Sequence, residues 1–175
     1  MLARHGFDGL TLRAVAAEMG ASTGLLTHYF PSKQALVRHA LAISEEHSAK
    51  RPLRGTDAEG LAALRAALLD VLPLDPASTV MNRVWVSSWD VALGDRELGS
   101  AERARYKRWR ARLRPIVEAA QHAGELPDAD PDDLVATVAA FTHGLVVQAL
   151  FDPRTFPHNR QVVLLDAFLE SLARR

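Results

Sequence analysis

The sequence predicts an all-α protein in which an N-terminal helix-turn-helix is followed by a larger helical domain. Three observations carry that prediction. Apolar residues recur three and four positions apart through most of the chain, which is the spacing of one helix face. No alternating apolar and polar run bounded by turns asks for a strand. Between the periodic stretches stand Gly20, Pro31, Pro52, Pro73, Gly94, Gly124 and Pro153, each able to end a helix.

The first helix is expected over Thr11–Met19, where Leu12, Val15, Ala16 and Met19 share one face while Arg13 and Glu18 fall off it. Thr11 can cap its N-terminus through the hydroxyl, and Gly20 accepts the left-handed geometry that closes it. Ser22 is then the N-cap of a second helix, Thr23 to about Tyr29. So short a connection is what a helix-turn-helix needs to set its second helix across the first. Pro31 stops that helix, because the residue before a proline is pushed out of helical geometry. Ser32 caps a third helix and puts Lys33 in its first turn, where the helix dipole gives a cation nothing; that placement points to an external anion such as phosphate. So small a domain has few large side chains to bury, so Tyr29 and Phe30 are expected partly in its core.

The third helix continues through Leu36, Val37, Ala40, Leu41 and Ser44 to about Arg51, long enough to link this reader to the second domain. Pro52 and Gly55 end it, which divides the chain into residues 1–51 and 52–175. In the second domain helices are expected at Asp57–Val71, Ala77–Leu93, Glu97–His122, Asp132–Phe151 and Asn159–Ala173, with Pro115 expected to bend or divide the third of these.

Glu97–His122 carries seven Lys or Arg between 103 and 114. Tyr106, Trp109, Leu113, Ile116, Val117 and Ala120 nevertheless make one apolar stripe. The basic residues are therefore expected on a solvated face, with a second nucleic-acid surface as the alternative. In the next helix Leu134, Val135, Val138, Ala139, Phe141, Leu145, Val146, Ala149 and Leu150 surround most of the axis, which calls for burial on all sides. The last helix has one stripe of Val162, Leu165, Leu169 and Leu172 and an adjoining one of Leu164 and Phe168. A homodimer would cover the surplus, with Val138, Leu145, Val146, Leu164 and Phe168 as its expected interface, and a twofold protein suits a palindromic duplex.

Composition narrows the remaining classes. The 175 residues have a formal net charge of +0, yet residues 1–51 hold six Lys or Arg against four acids and four of the seven histidines. The sign suits a phosphate-facing N-terminus, although the imbalance is small. With no cysteine there is neither a disulfide framework nor thiolate chemistry. No segment reaches eighteen uninterrupted apolar residues and no signal peptide is visible, so a soluble cytoplasmic protein without a membrane partner is expected. No HExxH, P-loop, Gly-rich dinucleotide turn or metal-spaced histidine cluster is present, so neither an enzyme nor a metal or cofactor is expected.

GFDGLTLRAVAAEMGASTGLLTHYFPSKQAL resembles the DNA-binding signature of TetR-type repressors. Gly6-Phe7, Thr11, Ala16, Gly20, Ser22, Gly24, His28-Tyr29-Phe30 and Lys33 stand at matching positions, while Thr23 and Thr27 depart from the common pattern. The run Leu25 to Phe30 is similar to the subgroup of choline-responsive repressors of betaine synthesis. The resemblance implies that Thr23, Leu25, Thr27 and His28 face the major groove or its flanking phosphates, with Thr11, Tyr29 and Lys33 at the DNA backbone; Arg13 and Ser22 are further candidate DNA contacts. It also implies a full helix before Gly6-Phe7, of which Met1–His5 can be only the last turn.

By the same resemblance the second domain encloses a small-molecule effector and pairs its last two helices in a dimer. Candidate contacts are Met81, Trp85, Ser88 and Trp89, then Tyr106 and Trp109, then Phe141, His143 and Gln148. Trp85 and Trp89 beside Asp90 would suit a quaternary ammonium ion, though a Trp pair at this spacing also reads as plain core. The implied mechanism is a population shift between two spacings of the paired readers, with the third helix as lever; a hundredfold preference of effector for one state is worth about 2.7 kcal/mol. The alternative is a ligand-binding helical dimer without DNA-binding activity.

Overall fold

A computed structural model describes residues 9–50 and 57–174, with residues 47–50 described by their backbone. The segment expected to hold the remnant of an earlier helix, Met1–Asp8, and the expected boundary at 51–56 lie outside the described residues. Those that are described form eight helices and no strand. They divide into two compact units, residues 1–51 with 83–100 and residues 52–82 with 101–175. A division at Pro52 alone therefore misses that residues 83–100 pack with the first unit.

In the first unit, α1 (Leu12–Glu18) begins where the Thr11 hydroxyl accepts a hydrogen bond from the Ala14 amide at 3.0 Å. It ends at Gly20, whose φ of 65° is cheap only for glycine. The second helix, α2 (Thr23–Tyr29), starts in the same way, with Ser22 Oγ accepting from Leu25 N at 3.2 Å. Ser32 Oγ accepts from Ala35 N at 3.1 Å at the start of α3 (Lys33–Lys50), which at 18 residues is about 27 Å long. Leu10, Leu36, Val37, Leu41 and Leu98 form the core, with Leu12, Val15, Phe30, Trp85 and Val91 packed against it.

Two residues expected in that core lie outside it. Met19 is 68% exposed and Tyr29 67% exposed. Met19 is the C-cap of a two-turn helix, one residue past the face that Leu12, Val15 and Ala16 turn inward. At the end of α2 the chain leaves helical geometry at Phe30 (φ −127°, ψ 102°), so Phe30 enters the core and Tyr29 stays on the surface.

Two further helices, α5 (Pro76–Gly94) and α6 (Arg96–His122), supply residues to both units. Pro115 lies on the exposed side of α6 and does not divide it; a missing amide facing solvent costs one hydrogen bond, not the helix. The apolar stripe of α6 is inward as expected, with Leu113, Val117 and Ala120 buried.

The second unit adds α4 (Gly60–Leu69), α7 (Pro131–Phe151) and α8 (His158–Ala173). The N-terminus of α4 is satisfied from a distance, since Glu125 Oε2 accepts from Leu61 N at 2.7 Å. The φ of 54° favours glycine at position 60, and a Cβ there would displace that same oxygen from its bond. Arg65 of α4 grips Asp166 of α8 with two bonds, Nε to Oδ1 at 2.5 Å and Nη2 to Oδ2 at 2.9 Å. Asp132 and Asp133 occupy the first turn of α7, where the dipole favours acids.

Although α7 is long and apolar enough by composition to cross a membrane, it is packed as a core helix of this unit. It is not buried on all sides as expected. Leu134, Val135, Val138, Ala139, Leu145, Val146 and Ala149 turn inward, while Ala136, Thr137, Ala140, Gly144, Gln148 and Phe151 are exposed. Val138 and Val146 are each 1% exposed and Leu145 is buried too, so these three have no surface left for a second chain. The expected dimer interface is corrected on that point: they are internal core. On α8, Leu165, Leu169 and Leu172 are buried and Leu164 and Phe168 half-buried, so the second stripe is only partly covered.

Candidate nucleic-acid interface and effector site

The helix-turn-helix presents a polar, exposed edge on a fixed frame. Thr23, Leu25, Thr27 and His28 are exposed on α2, as are Thr11, Arg13, Ser22 and Tyr29 around it. Leu26 is the inward residue of α2 and is buried. The Thr11 and Ser22 hydroxyls each accept one backbone N–H, which leaves each a proton to donate to a phosphate oxygen. Thr27 Oγ1 already donates to Gly24 O at 3.0 Å, so it meets an outside partner best as an acceptor. The His28 and Tyr29 rings meet edge to face, their centroids 5.3 Å apart, and each limits the other's rotation. Lys33 differs from the expectation: it is half-buried and already engaged within the chain. Its placement at the start of α3 therefore no longer argues by itself for an external anion.

The effector candidates are divided between the two units. Met81, Tyr106, Trp109, Phe141, His143 and Gln148 belong to the second unit, and Trp85, Ser88 and Trp89 to the first. Trp85 packs against the core of the first unit, and the buried Ser88 hydroxyl donates to Trp85 O at 2.7 Å. Both are accounted for by packing. Asp90, the expected carboxylate beside them, is exposed. Trp89 is different, since its Nε1–H is buried with no acceptor among the described residues, although a buried indole N–H ordinarily finds one. In the second unit Met81 is half-buried and Gln148 exposed. Phe141 stacks on Phe168 with ring centroids 3.9 Å apart and planes 5° from parallel, so one residue assigned to the effector and one assigned to the dimer in fact pair with each other.

What the second unit does bring together is an aromatic cluster around His143. Tyr106 meets its ring at 5.1 Å and Trp109 at 4.8 Å, both edge to face. Burial, then the charge of Arg105 and last that of Arg110, pushes the His143 pKa down to about 4 against the raising effect of the Ala139 backbone bond. The imidazole is therefore neutral at pH 7. With one ring nitrogen donating to the Ala139 carbonyl, the other is left as an acceptor.

Sequence reasoning missed the ion pair beside this cluster. Glu102, only 8% exposed, receives Arg105 Nε and Nη2 at 3.1 and 2.8 Å, and the Arg105 guanidinium lies 4.5 Å from the Tyr106 ring centroid. The signal was the Glu-x-x-Arg spacing at the start of the basic run, which places the pair on adjoining turns of α6.

Comparison with known proteins agrees with both halves of the chain. Residues 60–174 match the family model of the BetI-type transcriptional repressor C-terminal domain, and residues 1–40 match that of bacterial regulatory proteins of the tetR family. The HTH-type transcriptional regulator BetI of Burkholderia mallei is 28% identical over 144 residues, 80% of this chain and 71% of that protein. BetI of Vibrio campbellii is 23% identical over 177 residues, 95% of this chain and 83% of that protein. Among solved structures, a transcriptional regulator from Rhodococcus sp. superposes with a TM-score of 0.87 at 22% identity, covering 99% of this chain and 90% of that one. A Saccharomonospora viridis protein solved in complex with choline gives a TM-score of 0.84 at 22% identity, covering 97% and 89%.

Proposed function

The chain belongs to the tetR family of bacterial regulatory proteins, with a BetI-type C-terminal domain, and is a transcriptional regulator of a family without enzymes; from that premise we propose that it is a repressor that binds a palindromic operator as a homodimer and is released by a small-molecule effector. The observation that carries the proposal is the capped helix-turn-helix with Thr23, Leu25, Thr27 and His28 exposed on one short helix. Thr11, Arg13, Ser22 and Tyr29 are the backbone-holding group around it. Lys33, half-buried at the start of α3 and already engaged within the chain, is a further candidate for that group.

For the homodimer the exposed side of α7 and α8 is the favoured surface. Ala136, Ala140 and Gly144 make a low stripe into which a second helix can settle, and Leu164, Phe168 and Phe151 flank it with apolar area. Gly144 has open space where a Cβ would stand. For the effector, the neutral His143 nitrogen is an acceptor for a hydroxyl, and the neighbouring Trp109 ring suits an apolar or quaternary ammonium end. Choline has both groups and is the first compound to try.

The test is a selection from random duplex DNA, followed by titration of the selected duplex with choline. Enrichment of one palindrome, weakened by choline, is the expected result. A protein that stays a folded dimer yet enriches nothing would be a ligand-binding dimer instead. An enriched palindrome indifferent to choline would retain the regulator and discard the effector.

A further inference from the structure

Within the second unit, the part of α6 beyond its first turn carries more positive charge than its packing uses. Arg103, Lys107, Arg110 and Arg114 succeed one another at intervals of four, three and four, so they lie along a single face, and all four are exposed. Arg114 shows what a carboxylate partner does there: its Nε meets Glu118 at 2.9 Å and its Nη1 meets Asp132 at 2.7 Å. Arg103, Lys107 and Arg110 have no carboxylate partner among the described residues. Neighbouring charges held about 5–6 Å apart along a rigid rod repel one another.

We propose that this face of α6 is a second duplex-DNA surface, one that grips phosphates without reading sequence and acts in addition to the helix-turn-helix. The chemistry narrows the partner. A membrane surface needs apolar groups beside the cations, but the exposed positions between them are Ala104, Arg108, Ala111 and Arg112, and the apolar side of α6 is turned inward. Single-stranded nucleic acid needs exposed aromatic platforms, whereas Tyr106 and Trp109 face His143. A straight row of guanidinium and ammonium groups on a helix matches the closely spaced charges of a duplex backbone, with arginine forks suited to phosphate.

The experiment measures binding of the full chain to a random-sequence duplex across roughly 50–200 mM salt, where log K against log salt falls by about 0.9 for each phosphate contact. The triple variant Arg103→Gln, Lys107→Gln, Arg110→Gln should lower the magnitude of that slope by about 2.7 for each engaged chain. The charge-keeping pair Arg103→Lys, Arg110→Lys should restore it. A control triple at exposed sites elsewhere, Arg83→Gln, Arg154→Gln, Arg174→Gln, should leave it unchanged. An unchanged slope in the first triple, or an equal fall in the control, overturns the assignment, as does tighter binding of polyglutamate or anionic vesicles than of the duplex. All three exposed positions tolerate glutamine in a helix, and an unaltered thermal midpoint checks folding. Failure of the repressor reading looks different: palindrome enrichment is then missing while the stripe-dependent slope on random DNA persists.

Discussion

The helix-turn-helix and the α7–α8 pair reach their structures by opposite routes. In the first, almost every boundary is set locally. Thr11, Ser22 and Ser32 each cap a helix with a hydroxyl three residues from the amide it receives, and Gly20 closes the intervening turn. In the second, the boundaries are just as clear, but which side of each helix is covered depends on residues far away in sequence. Arg65 holds Asp166 across 101 positions, and Glu125 finishes the start of α4 from 64 positions on. Local chemistry fixes where the helices of the helix-turn-helix start and stop; in the second unit distant residues finish the start of α4 and decide what the helix faces meet.

The largest effect that would sharpen this contrast is in the α8 core. Leu165 is fully buried, and Leu165→Ala should cost about 2–5 kcal/mol of unfolding free energy in a denaturant titration. A loss under about 1 kcal/mol would mean that the packing of α8 is far looser than its burial implies.

His143 gives the next effect, this time as a function of pH. Its folded pKa of about 4 lies below the unfolded value, so the unfolded chain takes the proton first. The stability it contributes is fully present above about pH 6.5, where both states are neutral, and declines as pH falls toward 4, by roughly 3 kcal/mol in all. His143→Gln should flatten that part of the stability profile between pH 7 and 4. A profile of the same steepness in the variant would place the proton uptake elsewhere.

Much of this architecture was legible in the sequence, and the exceptions share a cause. Helix limits came from Thr, Ser, Gly and Pro at the ends, and α2 runs from Thr23 to Tyr29 as expected. The inward stripe of α6 was also readable, because one side is plainly charged. On α7, apolar residues surround the axis, and periodicity alone could not choose between Val138 or Val146 and Ala140 or Gly144 as the outward side. The same limit applies to the effector site. Tyr106, Trp109 and His143 do come together as a group, but nothing in their spacing distinguished them from Phe141, which stacks on Phe168, or from Trp85, which packs on the first unit's core.

Exchange of a small residue on α7 tests the proposed dimer while sparing the fold. Gly144→Phe adds bulk where the single chain has open space, so the unfolding midpoint of the dissociated chain should hardly move. The dimer dissociation constant measured by sedimentation should rise a hundredfold or more, about 2.7 kcal/mol. An intact dimer would move the interface off this stripe. On the local side of the contrast, Ser22→Ala removes the bond to Leu25 N and should cost about 1 kcal/mol, with a matching fraying of α2 in amide exchange.

The smallest effects belong to the two residues that the sequence placed inside and the structure places outside. Met19→Ala and Tyr29→Phe should each change stability by under about 0.5 kcal/mol, because both side chains are already mostly exposed. The two then differ in what else they touch. Tyr29 is proposed to hold the DNA backbone through its hydroxyl, so Tyr29→Phe should weaken binding of the selected duplex several-fold, in keeping with one lost hydrogen bond of about 1 kcal/mol. Met19→Ala carries no such role and should leave that affinity unchanged. If Tyr29→Phe instead destabilised the chain without altering DNA affinity, Tyr29 would be a packing residue after all, and the chain's departure from helix at Phe30 would not be what keeps it on the surface.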